Sequence, residues 1–254
     1  MIDVHCHLEK IENAQEVIDE AKNKMKAVIT SCSDIKDKMK VLELVQKNEG
    51  FVFATFGLHP ENSLDYKKDD IDSYIKWIKK NSDSTAGIGE NGLDYFRVKK
   101  EKQKETKKVF IKFAELAIEL ALPLVIHSRS SEEESAFEDI FEILELLAVK
   151  NAVLHCFSGS RGNLKHALEK GYWISYATNI CKTEKHMKLI KETPLEKMLL
   201  ETDSPWLHPS KKELINRPWN IEYSAKRIAE IKKIPAEEIL KKTEENARKV
   251  FRLS

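Results

Sequence analysis

Short β-rich apolar runs alternate along this chain with longer amphipathic stretches, and the alternation repeats eight times. The apolar runs lie near residues 3–7, 26–30, 51–56, 85–89, 122–126, 152–154, 172–176 and 197–200. Between them, apolar positions recur at helical spacing. Val41, Leu44 and Val45 share one face of a predicted helix over 35–47, and Val109, Phe113, Leu116 and Leu120 share one over 99–120. Further helices are predicted over 12–24, 71–80, 133–147, 164–170 and 184–191, with 222–232 and 236–251 closing the chain. A strand followed by a helix implies a parallel neighbour, because the return crossover needs a dozen or more residues. Eight such units predict an α/β fold, a TIM-like (β/α)8 barrel with parallel strands; an open doubly wound sheet is the alternative. No Pro/Gly-rich linker interrupts the pattern, so residues 1–254 read as a single domain.

The composition narrows the setting. Lysine and arginine total 43 against 42 acidic residues, for a formal charge of +1, so no global basic field grips duplex over a long footprint. Any contact with nucleic acid should be local. Cys6, Cys32, Cys156 and Cys181 form no CxxC pair, which removes zinc ribbons and thioredoxin-type chemistry. Cys6 and Cys156 read as small packing residues facing away from the adjacent histidines. Free thiols, no signal-like start and no apolar run near the ~20 residues of a membrane span predict a cytoplasmic protein without membrane contact.

Polar chemistry gathers at the strand ends. In Asp3-Val4-His5-Cys6-His7, strand alternation points His5 and His7 to one face, with Asp3 a step lower. His59 follows the third strand, Glu90 ends the fourth, His127 the fifth, His155 the sixth, and Asp203 follows the eighth. Barrel enzymes carry their chemistry at this edge. The count suits two divalent metal ions. His5, His7, Glu90 and Asp203 would hold one, and Glu90, His127 and His155 the other, with Glu90 as bridge. Imidazole with carboxylate favours zinc, manganese, cobalt or nickel over magnesium, without selecting one. Asp3 and Glu201 each lie two residues before a candidate ligand, on the same face and one layer deeper. Each is a candidate to accept the free ring N–H of a ligand histidine, with an ion pair inside the barrel as the alternative. His166, His186 and His208 read as surface or capping residues.

Six segments now stand out: Asp3-Val-His-Cys-His7, Gly57-Leu-His-Pro60, Gly89-Glu-Asn-Gly-Leu-Asp-Tyr95, Ile126-His-Ser-Arg129, His155-Cys-Phe-Ser-Gly159 and Glu201-Thr-Asp-Ser-Pro-Trp206. In this order and spacing the set resembles the TatD family of metal-dependent hydrolases, within the amidohydrolase superfamily. The resemblance implies one TatD-like barrel domain with a one- or two-metal centre. It also implies deoxyribonuclease activity, often 3′→5′ exonucleolytic. Carried over by motif, the metal ligands are His5, His7, Glu90, His127, His155 and Asp203, with Asp203 also handling protons. His59 is implied near the substrate phosphate, Asp94, Tyr95 and Arg97 match the segment after the bridging glutamate, and Arg129 and Ser158 line the mouth. The chain departs from the family in Ile215-Asn216-Arg217-Pro218, where Arg-Asn-Glu-Pro is usual, in Asn91, where isoleucine is usual, and in a glycine missing from 175–178.

The expected chemistry is phosphodiester hydrolysis by a metal-activated hydroxide, with Asp203 and Glu90 as the catalytic carboxylates. DNA, single-stranded or at frayed ends, is the expected substrate, and a monomer the expected state. Arg97, Arg129, Lys182 and Arg217 are candidate phosphate partners. Tyr95, Phe157 and Trp206 are candidates to stack on a base. The alternatives are an amide or ester hydrolase of the same superfamily, such as an aminoacyl-tRNA deacylase, and a non-catalytic module with a structural metal.

Overall fold

Each apolar run forms a strand in the computed structural model, which describes residues 1–210 and 214–253. The strands are β1 (Ile2–Cys6), β2 (Ala27–Cys32), β3 (Val52–Phe56), β4 (Gly87–Asp94), β5 (Leu124–Arg129), β6 (Ala152–Leu154), β7 (Trp173–Tyr176) and β8 (Met198–Leu200). They pair in parallel and in chain order into one eight-stranded sheet. The helices between and after them are α1 (Ala14–Lys22), α2 (Lys38–Lys47), α3 (Lys68–Lys80), α4 (Lys100–Glu119), α5 (Ala136–Leu146), α6 (Arg161–Glu169), α7 (Met187–Glu192), α8 (Ile221–Lys232) and α9 (Ala236–Phe251). The result is a nearly closed TIM barrel. Among the described residues, no helix is long and apolar enough to cross a membrane.

Two strands outrun the apolar pattern. β4 continues past Glu90 to Asp94 and β5 past His127 to Arg129, because Asn91 to Asp94 stay in register with Ile126 to Arg129. Backbone pairing carries these ends after hydropathy has stopped signalling a strand. The register shifts between Ile88 and Asn91, and again on β1 between Asp3 and Cys6. Such irregularities re-aim side chains, and both fall where candidate ligands sit. Close approach also fixes glycine: a Cβ on Gly92 (φ 147°) would lie 2.1 Å from the His127 carbonyl oxygen, and one on Gly57 2.6 Å from the Gly89 backbone.

The main core lies between sheet and helices, with Leu8, Phe56, Tyr74, Phe113 and Leu154 fully buried or nearly so. A second cluster includes Val125, Val153 and Leu199. Val125 lies two residues before His127 on β5, and Val153 and Leu199 lie two residues before His155 and Glu201, which directly follow β6 and β8. They form an apolar layer beneath the polar mouth, as barrel interiors are layered.

The ring is completed by polar contacts. The amide of Asp203 donates to His5 O at 2.9 Å, and that of His7 to Ser204 O at 2.7 Å. Below them, the buried Asp3 carboxylate accepts from the Thr202 amide at 3.0 Å, the Thr202 hydroxyl at 2.5 Å and the His5 amide at 3.1 Å. Asp3 therefore joins the first strand to the segment leaving the last. Among the described residues it reaches no imidazole, so the first of its two expected roles, accepting from a ring, is not met, because the β1 amide and Thr202 occupy its oxygens.

Replacing Asp3 with alanine leaves three buried donors without an acceptor. Denaturant unfolding of Asp3→Ala should show a loss of about 3 kcal/mol or more, since each of the three buried unmet donors costs about 1–3 kcal/mol. A loss below about 0.5 kcal/mol would show that the seam does not depend on this carboxylate.

Candidate metal centre

The ends of β1, β4, β5 and β6 and the segment after β8 bring the candidate ligands together. His5 and His7 come within 3.2 Å, Nε2 to Nε2. Two nitrogens each 2.0–2.1 Å from one tetrahedral ion lie about 3.3 Å apart, so this approach has the bite of a chelating pair. Asp203 Oδ1 stands 3.4 Å from His7 Nε2 and 3.8 Å from His5 Nε2. Its backbone is left-handed, at φ 57°, which turns its carboxylate back over β1. His155 stacks on His5 with ring centroids 3.8 Å apart.

Glu90 occupies the middle. Its Oε2 lies 3.5 Å from His5 Nε2 and 3.6 Å from His7 Nε2. Its Oε1 lies 2.8 Å from His127 Nδ1, 3.2 Å from His155 Nε2 and 3.9 Å from His59 Nε2. One carboxylate thus addresses two nitrogen groups with separate oxygens. By ligand-atom proximity, His5, His7 and Asp203 form one group and His59, Glu90 and His127 another. A third, His5, His155 and Glu201, follows from the stacked rings. His59 is therefore closer to the metal-binding chemistry than its expected place by a phosphate required. Donors of this kind, buried and convergent, fit divalent cations that accept nitrogen and oxygen ligands.

Carboxylates hold the outer edges of three rings. Glu9 Oε1 lies 3.2 Å from His7 Nδ1, and Thr30 donates to the other Glu9 oxygen at 3.1 Å. Glu201 Oε1 lies 2.9 Å from His155 Nδ1 and accepts the Cys156 amide at 2.7 Å. Its Oε2 takes the Ser175 hydroxyl at 2.5 Å. Asp94 Oδ2 lies 3.0 Å from His127 Nε2, while its Oδ1 accepts the amides of Phe96 and Arg97. Glu201 thus stands beside the His155 ring, with its other contacts to the Cys156 amide and the Ser175 hydroxyl. Glu9 gave no sequence signal, because it sits on a 3-10 turn (Leu8–Lys10) where i, i+2 spacing does not predict a shared face. Cys156 lies on a left-handed turn, not a strand, at φ 45°.

Burial and charge act against each other here. Burial opposes protonation of His7, yet Asp203 and Glu9 outweigh it and raise its pKa to about 10. His155 is likewise raised against burial by Glu201 and Glu90, and His127 by Asp94 and Glu90. Burial disfavours charge on Glu90 and Asp203, but the imidazoles around them hold both carboxyls below the usual range. Burial and the His127 ring push His59 down to about 4.

The mouth-lining residues divide. Tyr95 is 5% exposed, its hydroxyl donating to Asp139, and Phe157 is 2% exposed. Neither is open to a base, because each packs into the helix layer. Trp206 is 48% exposed and meets His7 edge-on at 4.9 Å between centroids. Arg97 is paired with Glu61 at 2.9 Å. Arg129 lies over the Phe96 ring at 4.0 Å and has no carboxylate partner among the described residues. Ser158 is half-buried, and Lys182 is exposed on the turn after β7. Arg217 is half-buried, with Nη1 buried and unpartnered among the described residues. Beside it, Asn216 donates to Thr178 Oγ1 at 2.9 Å and to Thr202 O at 3.0 Å, bolting the segment to the β8 end. His186 occupies the N-cap position of α7, one of the two places expected of it, and is buried there, with no side-chain capping hydrogen bond.

Two outcomes follow for metal loading. Glu9→Gln and Glu201→Gln should each weaken metal affinity about 10–100-fold in competition with a chelator. An affinity within twofold of wild type would deny these carboxylates that role. Without metal, His7, His155 and His127 hold protons that a cation must displace. Affinity should therefore rise with pH from 6 to 9, with proton release seen as a buffer-dependent binding enthalpy. A flat profile would contradict the charge arrangement.

A family model, TatD related DNase, matches residues 2–252. The human deoxyribonuclease TATDN3 is 31% identical over 99% of this chain and 94% of its own length. An uncharacterized metal-dependent hydrolase of Methanocaldococcus jannaschii, MJ1582, is 34% identical over 99% of this chain and 96% of its own. Among solved structures, the TatD homologue YJJV of Escherichia coli superposes with a TM-score of 0.90 at 22% identity, covering 100% of this chain and 98% of that one. Full-length matches in sequence and fold, meeting at one rim of buried histidines and carboxylates, place this chain in the TatD family of metal-dependent hydrolases, enzymes acting on ester bonds.

Proposed function

We propose that this protein is a deoxyribonuclease that removes nucleotides from the 3′ ends of single-stranded or frayed DNA, using two divalent ions. The observation that carries the reading is Glu90, whose Oε2 faces His5 and His7 while its Oε1 faces His127 and His155. On this reading His5, His7, Glu90 and Asp203 hold one ion, and Glu90, His127 and His155 the other. Such a pair, zinc, manganese, magnesium, nickel or cobalt, supplies Lewis acidity to the phosphoryl oxygens and lowers the pKa of a bound water.

The chain's own groups supply the rest. Asp203 is the most exposed carboxylate of the cluster, with 19% of its side chain open against 6% for Glu90. Its carboxyl, held below the usual range, is ionised at neutral pH and can take the proton of an attacking water. Arg129 and Arg217, without carboxylate partners among the described residues, are the candidate phosphate contacts; Arg97 is already engaged by Glu61. An exposed Trp206 and a formal net charge of only +1 suit a short strand end better than long duplex. The human relative's name supports DNA as substrate.

The test offers manganese- or zinc-loaded protein 5′- and 3′-labelled single-stranded DNA, matched RNA and an ester panel. Stepwise shortening from the 3′ end is expected. His127→Ala and Asp203→Asn should each lower kcat by about 100-fold or more, the loss expected for a missing acid–base or metal-held group, with the unfolding transition retained. Turnover of carboxylic esters with DNA untouched would transfer the reading to the acyl hydrolases. Wild-type cleavage by His127→Ala would contradict the two-ion form.

A further inference from the structure

Phe96 is the most exposed phenylalanine at the barrel mouth, 64% open, and its setting is built rather than loose. Asp94 Oδ1 accepts the amides of Phe96 at 3.0 Å and Arg97 at 2.8 Å, turning the chain sharply as it leaves β4. The preceding amide, Tyr95 N, donates to Arg129 O at 2.7 Å, so the turn is stapled to the end of β5. The Tyr95 side chain points into the helix layer, and the Phe96 ring goes to solvent. One face of that ring carries the Arg129 guanidinium at 4.0 Å. An exposed phenylalanine contributes little to folding, yet this one is held by two strands and backed by a cation.

Its position relates it to the cluster. The Asp94 that shapes the turn also holds His127 Nε2 at 3.0 Å through its other oxygen. Phe96 is thus linked through Asp94 to His127, whereas Trp206 stands against His7.

We propose that Phe96, backed by Arg129, is a stacking platform for one nucleobase of the bound strand, with the free edge of the guanidinium turned to the adjoining phosphate. Rings that stack on bases select nucleic acid by its π faces and not by sequence. A guanidinium stacked on an aromatic ring keeps its N–H edge for a phosphate. The platform rests on the phosphodiesterase reading for its substrate, but its own test does not need turnover.

Binding is measured by fluorescence anisotropy with the metal-loaded protein, using an oligo-dT and an oligomer of the same length made of abasic deoxyribose phosphates. Wild type should prefer oligo-dT by about 10-fold or more, in line with the stacking contribution of one base. Phe96→Ala and Phe96→Leu should each lower that ratio by about 5-fold or more, the contribution of one stacked base, while Phe96→Trp keeps it. The thermal unfolding midpoint of each variant should match wild type, since the ring is exposed. Hydrolysis of both oligomers is followed in parallel. Phe96-dependent preference without cleavage would support the platform and reject the nuclease. Cleavage of DNA with the preference unaltered in Phe96→Ala would reject the platform and leave the nuclease standing. A ratio lost in alanine but kept in leucine would also overturn the proposal, because it would indicate bulk and not an aromatic face.

Discussion

The seam where the eighth strand meets the first governs this molecule. His5 and His7 leave on β1, and Asp203 follows β8, nearly two hundred residues later. They converge only because the Asp203 amide binds His5 O, the His7 amide binds Ser204 O, and Asp3 clasps Thr202. A carboxylate buried this deeply is costly unless its oxygens are met. Here three donors meet them, and although burial still pushes the Asp3 carboxyl well above its ordinary range, the group that closes the barrel also fixes the spacing of the first ligand pair. Asn216 secures the same corner from the far side, through Thr178 and Thr202.

Above the seam the problem is charge. Imidazoles and carboxylates crowd into a space from which the barrel excludes most water, and each is tolerable only through its neighbours. Glu90 stays ionised against burial because histidines surround it, and His7 is raised to about 10 because Asp203 and Glu9 outweigh its desolvation. Protons and divalent cations are alternative solutions to the same electrostatic demand. Glu9, Glu201 and Asp94 at the outer edges fix which nitrogen of each ring faces the cavity. The apolar layer of Val125, Val153 and Leu199 beneath keeps the arrangement from spreading downwards.

The rim follows a different rule, since its residues contribute least to stability and most to what can approach. Arg97 is spent on Glu61, and Tyr95 on Asp139. Phe96, Arg129, Trp206 and Arg217 are left facing the opening or unpaired among the described residues. Family membership makes the chain a metal-dependent hydrolase, and these four side chains are what its rim presents around the buried cluster.

Periodicity alone predicted eight parallel strand–helix units, with an open doubly wound sheet as the alternative to a barrel, and put His5, His7, His59, Glu90, His127, His155 and Asp203 at strand ends; the structure supplied the strand order and the common rim. That follows because strand alternation and the strand–helix repeat are local properties, and a barrel translates strand ends into a common rim. Glu9 escaped because a 3-10 turn has no side-chain period to read. Asp3 was assigned a ring because its spacing matched, although the donors it meets belong to a segment distant in sequence. Tyr95 and Phe96 look interchangeable as neighbouring aromatics, and only the Asp94 turn decides which is buried and which faces solvent. The sequence therefore determined which chemical groups stand at the mouth, and the tertiary structure decided what each group touches, since a contact between distant segments has no signature in either segment alone.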